Sequence, residues 1–242
     1  MRVVVTRPEH SGERTARRLA EMGHEAMLLP LSKPVRHVDA TWQALSNTRG
    51  AIAVTSAEAI RTLGAIGHPL EPHLGRLLFA VGKATADEAK DIGFINVFAS
   101  GGSGTELAEL VFREWTGNSQ APLLYLAGAP RAAGFEARLT ALNIPFQTVE
   151  CYRMQDIVID DAVLRRLFLD ASADAVLLYS HQTAIRFFSL PFLQQHSNLL
   201  ASTRFLCLSK AIAEAVPASL HSHVDIANMP DEDSLLALLA AK

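Results

Sequence analysis

The sequence predicts an α/β protein made of two similar doubly wound domains, each a parallel sheet with helices on both faces. Three observations carry this. Short β-branched or apolar runs alternate with stretches of helical period along all 242 residues, the order that produces parallel strands joined by helical crossovers. The strand-like runs are apolar throughout instead of alternating, as strands buried on both faces are. The chain also repeats itself. Val81-Gly-Lys-Ala-Thr-Ala-Asp87 aligns without gaps on Leu208-Ser-Lys-Ala-Ile-Ala-Glu214. Thr55-Ser56 with Ala59-Ile60-Arg61 resembles Tyr179-Ser180 with Ala184-Ile185-Arg186, and Ser11-Gly12 with 19–23 echoes Ala133-Gly134 with 139–143. Written as units, the order is X–Y–X′–Y′, a duplication. The residues alone leave open whether X joins Y, or whether Y and X′ form a domain nested between X and Y′.

In chain order, residues 3–8 read as a strand closed by Pro8. Ser11 is the expected N-cap of a helix running to Met22, with Gly23 just past its end. A second strand covers 25–31, stopped by Pro30 and Pro34. Then come helix 40–48, strand 51–55, helix 57–65, strand 77–81, helix 84–92 and a short strand 95–98. The glycine-rich stretch 100–104 reads as a mobile loop leading into helix 105–115. Strand 123–127, helix 135–142 and strand 145–154 complete the first part. The return is helix 160–169, strand 175–179, helix 183–190, strand 204–208, helix 211–216, strand 223–227 and helix 231–239.

Composition narrows the function. Half of the residues (49%) are hydrophobic and spread evenly, and the formal net charge is -3. That gives no general pull towards nucleic acid or an anionic membrane, and neither is an expected partner. Apolar runs are of strand length, far short of a bilayer span. A strand begins within three residues of Met1, leaving no room there for a signal peptide, and the expected location is the cytoplasm. Cys151 and Cys207 lie in apolar runs and are expected as buried free thiols in a reducing compartment. There is no Gly-x-Gly-x-x-Gly, no phosphate-binding Gly-Lys-Ser/Thr loop and no zinc spacing, so no metal site is expected. His221 and His223 read as a strand edge, His68 and His73 as a surface loop beside prolines, and Arg165-Arg166 as a solvated helix face.

The polar residues of interest follow strands. They are Thr6-Arg7, Thr55-Ser56, Gly82-Lys83 with Thr85, Ser103-Gly104, Gly128 with Arg131, Tyr152, Ser180 with Gln182, and Ser209-Lys210. In open α/β sheets ligands sit beyond the carboxyl ends of strands, where helix N-termini offer unpaired N–H groups. Several such ends around one cleft suit a ligand rich in carboxylates or phosphates. Each residue also has an ordinary reading. Ser, Thr and Gly are what βα loops and caps are made of, and Arg7, Lys83 and Arg131 serve equally as solvated charges.

Val5-Thr-Arg-Pro8, Val54-Thr-Ser-Ala-Glu-Ala-Ile60, Val81-Gly-Lys-Ala-Thr-Ala86 and Val149-Glu-Cys-Tyr-Arg153, in this order, resemble the uroporphyrinogen-III synthase family. The similarity covers essentially the whole chain. It implies a nested pair: one domain of residues 1–34 plus 157–242, another of 38–153, joined by a two-stranded connector at about 33–38 and 153–158. It implies cyclisation of linear hydroxymethylbilane to uroporphyrinogen III in a cleft between the domains, with loss of water and inversion of the last pyrrole ring. That is a step of tetrapyrrole (haem or sirohaem) biosynthesis. No cofactor is implied, the chain would act as a monomer, and the substrate would be handed over by the preceding pathway enzyme. Tyr152 matches the family's tyrosine and is the catalytic candidate. Thr6, Arg7, Ser56, Lys83, Thr85, Ser103, Gly104, Gly128, Arg131, Ser180, Gln182 and Ser209 are the substrate-binding candidates. Ile212 departs from the pattern: it stands where a second threonine occurs in relatives, and Ser209 would take over that contact. The alternative function is a two-lobed binding protein that closes on a polyanionic small molecule without chemistry.

Overall fold

The structure is a computed structural model and describes residues 1–115, 121–170 and 172–240. The chain begins with β1 (Arg2–Val5), α1 (Glu9–Glu21), β2 (Glu25–Leu28) and β3 (Ser32–Arg36). It continues through α2 (Val38–Asn47), β4 (Ile52–Val54), α3 (Ala57–Gly64), β5 (Leu77–Val81), α4 (Lys83–Asp91) and β6 (Asn96–Ser100). Next come α5 (Gly104–Glu114), β7 (Leu123–Ala129), α6 (Gly134–Ala141) and the long β8 (Phe146–Asp156). The last part holds α7 (Asp161–Arg165), β9 (Ala175–Leu178), α8 (His181–Phe188), α9 (Pro191–Gln195), β10 (Arg204–Cys207), α10 (Lys210–Ala213), β11 (Val224–Ile226) and α11 (Glu232–Ala237).

Two compact units emerge: Met1–Lys33 with Gln155–Lys242 (unit 1), and Pro34–Met154 (unit 2). The sheet of unit 1 has the order β11-β10-β9-β1-β2, all pairs parallel. The other sheet has the order β3-β8-β7-β4-β5-β6, parallel from β8 to β6. Counted in chain order, the strands of unit 1 stand as 2-1-3-4-5, and β8-β7-β4-β5-β6 of the six-stranded sheet give the same order when counting starts at β7, with β3 added at the edge beside β8. The sequence repeat is therefore a repeat of topology. In each sheet the order reverses at one place, between β1 and β9 and between β7 and β4. Open α/β sheets bind ligands outside the strand ends at such a place.

Side-chain alternation builds a core on both faces of each sheet. Val4 faces a layer with Phe168, Phe187 and Phe205, while Val3 and Val5 face Leu19, Leu177 and Leu235. In unit 2, Ile52 and Val54 pack with Ile60, Leu63 and Leu126, and Ala53 with Phe79, Val111, Tyr125 and Phe135. Among the described residues no helix is long and apolar enough to cross a membrane.

Several expectations are corrected. Ser11 does not cap α1: the helix starts two residues earlier, at Glu9, with Pro8 at the N-cap position and no side-chain cap, so Ser11 lies inside its first turn. Residues 101–104 are more than a loop. Ser103 closes a reciprocal capping box with Glu106 (3.2 and 3.1 Å) and starts α5. His73 is buried at 4% exposure, edge-on to Trp42, because a short 3₁₀ turn folds it under α2. His221 and His223 belong to a 3₁₀ turn, Ala218–His223, and precede the strand. Helix 160–169 is α7 followed by a π turn, Arg166–Asp170, and α9 was not anticipated. Cys151 and Cys207 are buried free thiols. Burial pushes each up to about 12, which leaves them unreactive.

Candidate functional site

At the switch point of unit 2 lies a cavity of about 320 Å³. Its walls include Ser56 at the start of α3, Gly104 and Thr105 at the start of α5, Gly134 at the start of α6, and the phenols of Tyr125 and Tyr152.

Tyr152 reaches this place through a fault in the sheet. Along β7 and β8, Ala127 pairs with Glu150 but Gly128 pairs with Tyr152, so Cys151 is an extra residue in β8. Such a bulge re-aims the next side chain. Cys151 and Tyr152 consequently pack into the same core layer instead of opposite ones. The tyrosine ring then lies on Gly128. A Cβ built there would be 2.3 Å from Tyr152 Cζ and 2.4 Å from its hydroxyl oxygen. Gly128 is required by this close approach. Tyr152 is 9% exposed. Burial raises its phenol above the ordinary value, the Ser56 hydroxyl acting in the opposite direction. At neutral pH the group is therefore a protonated donor.

Tyr125 comes from the other face of β7. Its hydroxyl and that of Thr55 are 2.9 Å apart, and its ring packs edge-on against Phe135 at 4.7 Å. Arg131 stands at the lip, held by Glu136 through Nε and Nη2 (3.0 and 3.1 Å), and Thr148 donates to the same carboxylate at 2.8 Å. The hydrogen bond from Arg131 holds the Glu136 carboxyl below its usual range.

The corresponding place in unit 1 is filled from within. Glu232, at the first turn of α11, accepts from Arg7 Nη1 at 2.8 Å and from the Tyr179 hydroxyl at 3.0 Å. It also accepts from Thr15 and from Arg18 Nη1 (3.2 Å). The Arg7 guanidinium lies 4.3 Å from the centre of the Tyr179 ring. Burial disfavours the ionised Glu232, but the Thr15 and Tyr179 hydrogen bonds and the charges of Arg7 and Arg18 outweigh it and lower its carboxyl below the usual range. The Thr6 hydroxyl is buried and donates to the Leu177 carbonyl at 2.8 Å. Thr6 and Arg7 are thus engaged inside unit 1.

Of the sequence candidates, the cavity gathers Ser56, Gly104, Gly128, Arg131 and Tyr152. Lys83, Thr85 and Ser103 do not line it. Lys83 is exposed at the start of α4, behind Gly82 in a left-handed conformation (φ 74°). Thr85 is buried in the same helix, and Ser103 is occupied as a cap. In unit 1, Ser180 caps α8 by accepting from Thr183 N at 3.1 Å, Gln182 is exposed beside it, and Ser209 is the N-cap residue of α10 without a side-chain bond. The sequence reading missed Tyr125 and Phe135. A tyrosine inside the apolar run 123–127 was the available signal, since a buried hydroxyl there needs a partner.

A duplicated, doubly wound α/β protein with a crevice of hydroxyls, helix ends and one arginine at a switch point belongs to the class of open α/β folds whose ligand sites lie beyond the carboxyl ends of the strands. The family is more specific. The family profile of uroporphyrinogen-III synthase, HemD, matches residues 13–237, and the chain belongs to this family. Its fold is similar to that of uroporphyrinogen-III synthetase from Helicobacter pylori, with a TM-score of 0.66 at 16% identity, covering 100% of this chain and 99% of that one. A mutant uroporphyrinogen III synthase from Thermus thermophilus gives a TM-score of 0.55 at 17% identity, covering 99% and 97%. Comparison with curated proteins finds no match.

Proposed function

We propose that the protein is a cyclising hydro-lyase that converts hydroxymethylbilane to uroporphyrinogen III, with the crevice of unit 2 as a reacting site. Membership of the uroporphyrinogen-III synthase family over residues 13–237 is the observation that carries this reading. The chemistry suits the residues present. The terminal pyrrole's own electrons expel the hydroxyl, so the protein needs a weak acid beside the departing oxygen and a fold-back geometry that selects one ring closure. Tyr152 is that acid. Its buried phenol stays protonated, and its proton goes to the oxygen that leaves with the C–O bonding pair, giving water. Ser56, Gly104 and the neighbouring helix ends receive acidic arms of the substrate through N–H groups, and Arg131 adds one fixed cation.

The kinetic test is the loss of hydroxymethylbilane with time. The rate rises in proportion to protein concentration, and Tyr152→Phe lowers kcat roughly ten-fold, less than a full general acid contributes because the substrate ionises unaided. Bilane that binds yet closes at its spontaneous rate would instead establish the two-lobed binding protein.

A further inference from the structure

We infer that Tyr125, oriented by Thr55, forms with Arg131 a subsite for one carboxylate arm of the ligand, separate from the position of Tyr152. The inference rests on the crevice being the substrate site. Tyr125 sits in β7, a strand buried along its whole length, and is itself 1% exposed. A phenylalanine would fill this space and pack on Phe135 without burying a hydroxyl. The hydroxyl instead pairs with Thr55 at the wall of the cavity. It shares one hydrogen bond with Thr55, so whichever oxygen donates, the other's proton remains available to the cavity that both residues line. Arg131 borders the same cavity, and its Nη1 takes no part in the pair with Glu136. One O–H and one guanidinium N–H are the donors that a carboxylate takes.

Unit 1 shows such an arrangement filled. There an arginine following β1 (Arg7) and a tyrosine following β9 (Tyr179) hold the Glu232 carboxylate at 2.8 and 3.0 Å. Arg131 follows β7 and Thr55 follows β4, the equivalent strands of unit 2. The same place in the duplicated fold thus receives an internal carboxylate in one unit and offers its donors to a cavity in the other. Tyr152 packs in the opposite core layer from Tyr125, so the two phenols meet different parts of a ligand.

Tyr125→Phe and Thr55→Val are compared with wild type in bilane turnover, in thermal unfolding, and in binding of uroporphyrin III followed by its fluorescence. Tyr125→Phe raises KM and the uroporphyrin Kd about ten-fold, the loss of one hydrogen bond to a charged group, with kcat within about two-fold. Thr55→Val, which removes the partner of the Tyr125 hydroxyl and leaves the phenol in place, raises both about three-fold. Unchanged KM and Kd in folded Tyr125→Phe would overturn the subsite, as would a fall in kcat at constant KM. Binding needs no turnover. A wild type that fails to consume bilane would therefore defeat the proposed reaction, while the porphyrin titration would still decide the subsite.

Discussion

Glu232 shows how much a single residue can settle. One carboxylate receives Arg7, Thr15, Arg18 and Tyr179, joining α1 and the segments after β1 and β9 to α11. Replacing it with glutamine leaves the Arg7 guanidinium partly buried without a counter-charge and is expected to cost about 2 kcal/mol at neutral pH. The sign of the pH dependence follows. The Glu232 carboxyl is lowered in the folded state, so the unfolded chain binds the proton first as pH falls. Its contribution is complete above the ordinary carboxylate value of 4.5 and is lost as pH falls through the lowered one. Urea unfolding at neutral pH and at about pH 4 should show wild type losing more stability on acidification than Glu232→Gln. Equal losses would mean that Glu232 is not the linked group. Arg7 was visible in the sequence as a polar residue after a strand. Its partner was not, because nothing local connects position 7 with position 232.

At the scale of elements, periodicity and turn residues made the main strands and the longer helices legible, and the short pieces were not. The π turn after α7 and the 3₁₀ turn holding His221 arise from packing, which propensity does not encode. Helix starts divide in the same way. Ser56 and Ser180 were readable as residues after strands, and the structure makes both of them caps. The capping box of Ser103 and Glu106 was hidden behind two glycines that suggested mobility. Ser103→Ala removes the acceptor for Glu106 N and is expected to cost about 1 kcal/mol, read as a lower urea midpoint at constant slope. A variant as stable as wild type would show that the box contributes nothing. The bulge at Cys151 was equally invisible, since register is a property of two strands. It explains why Tyr152 was the conspicuous side chain while the reason for Gly128 stayed obscure.

The whole molecule is a duplicated fold whose halves have diverged at the same point. Five strands of each sheet share one order, the six-stranded sheet adding β3 at its edge, and that repetition was legible as X–Y–X′–Y′ because aligned residues carry it. The divergence was not legible: unit 1 fills its switch point with Glu232, and unit 2 leaves a cavity beneath two phenols. Control of ring closure is the task we propose for unit 2, and Gly128, by admitting the Tyr152 ring, is the position that tests it. A methyl group at Gly128 must displace that ring. The decisive measurement is the isomer composition of the porphyrins obtained when hydroxymethylbilane is treated with the protein, oxidised and separated. Wild type should give the type III isomer almost alone, and folded Gly128→Ala a mixture with a large share of type I. Type I alone from wild type, formed at the spontaneous rate, would contradict the account.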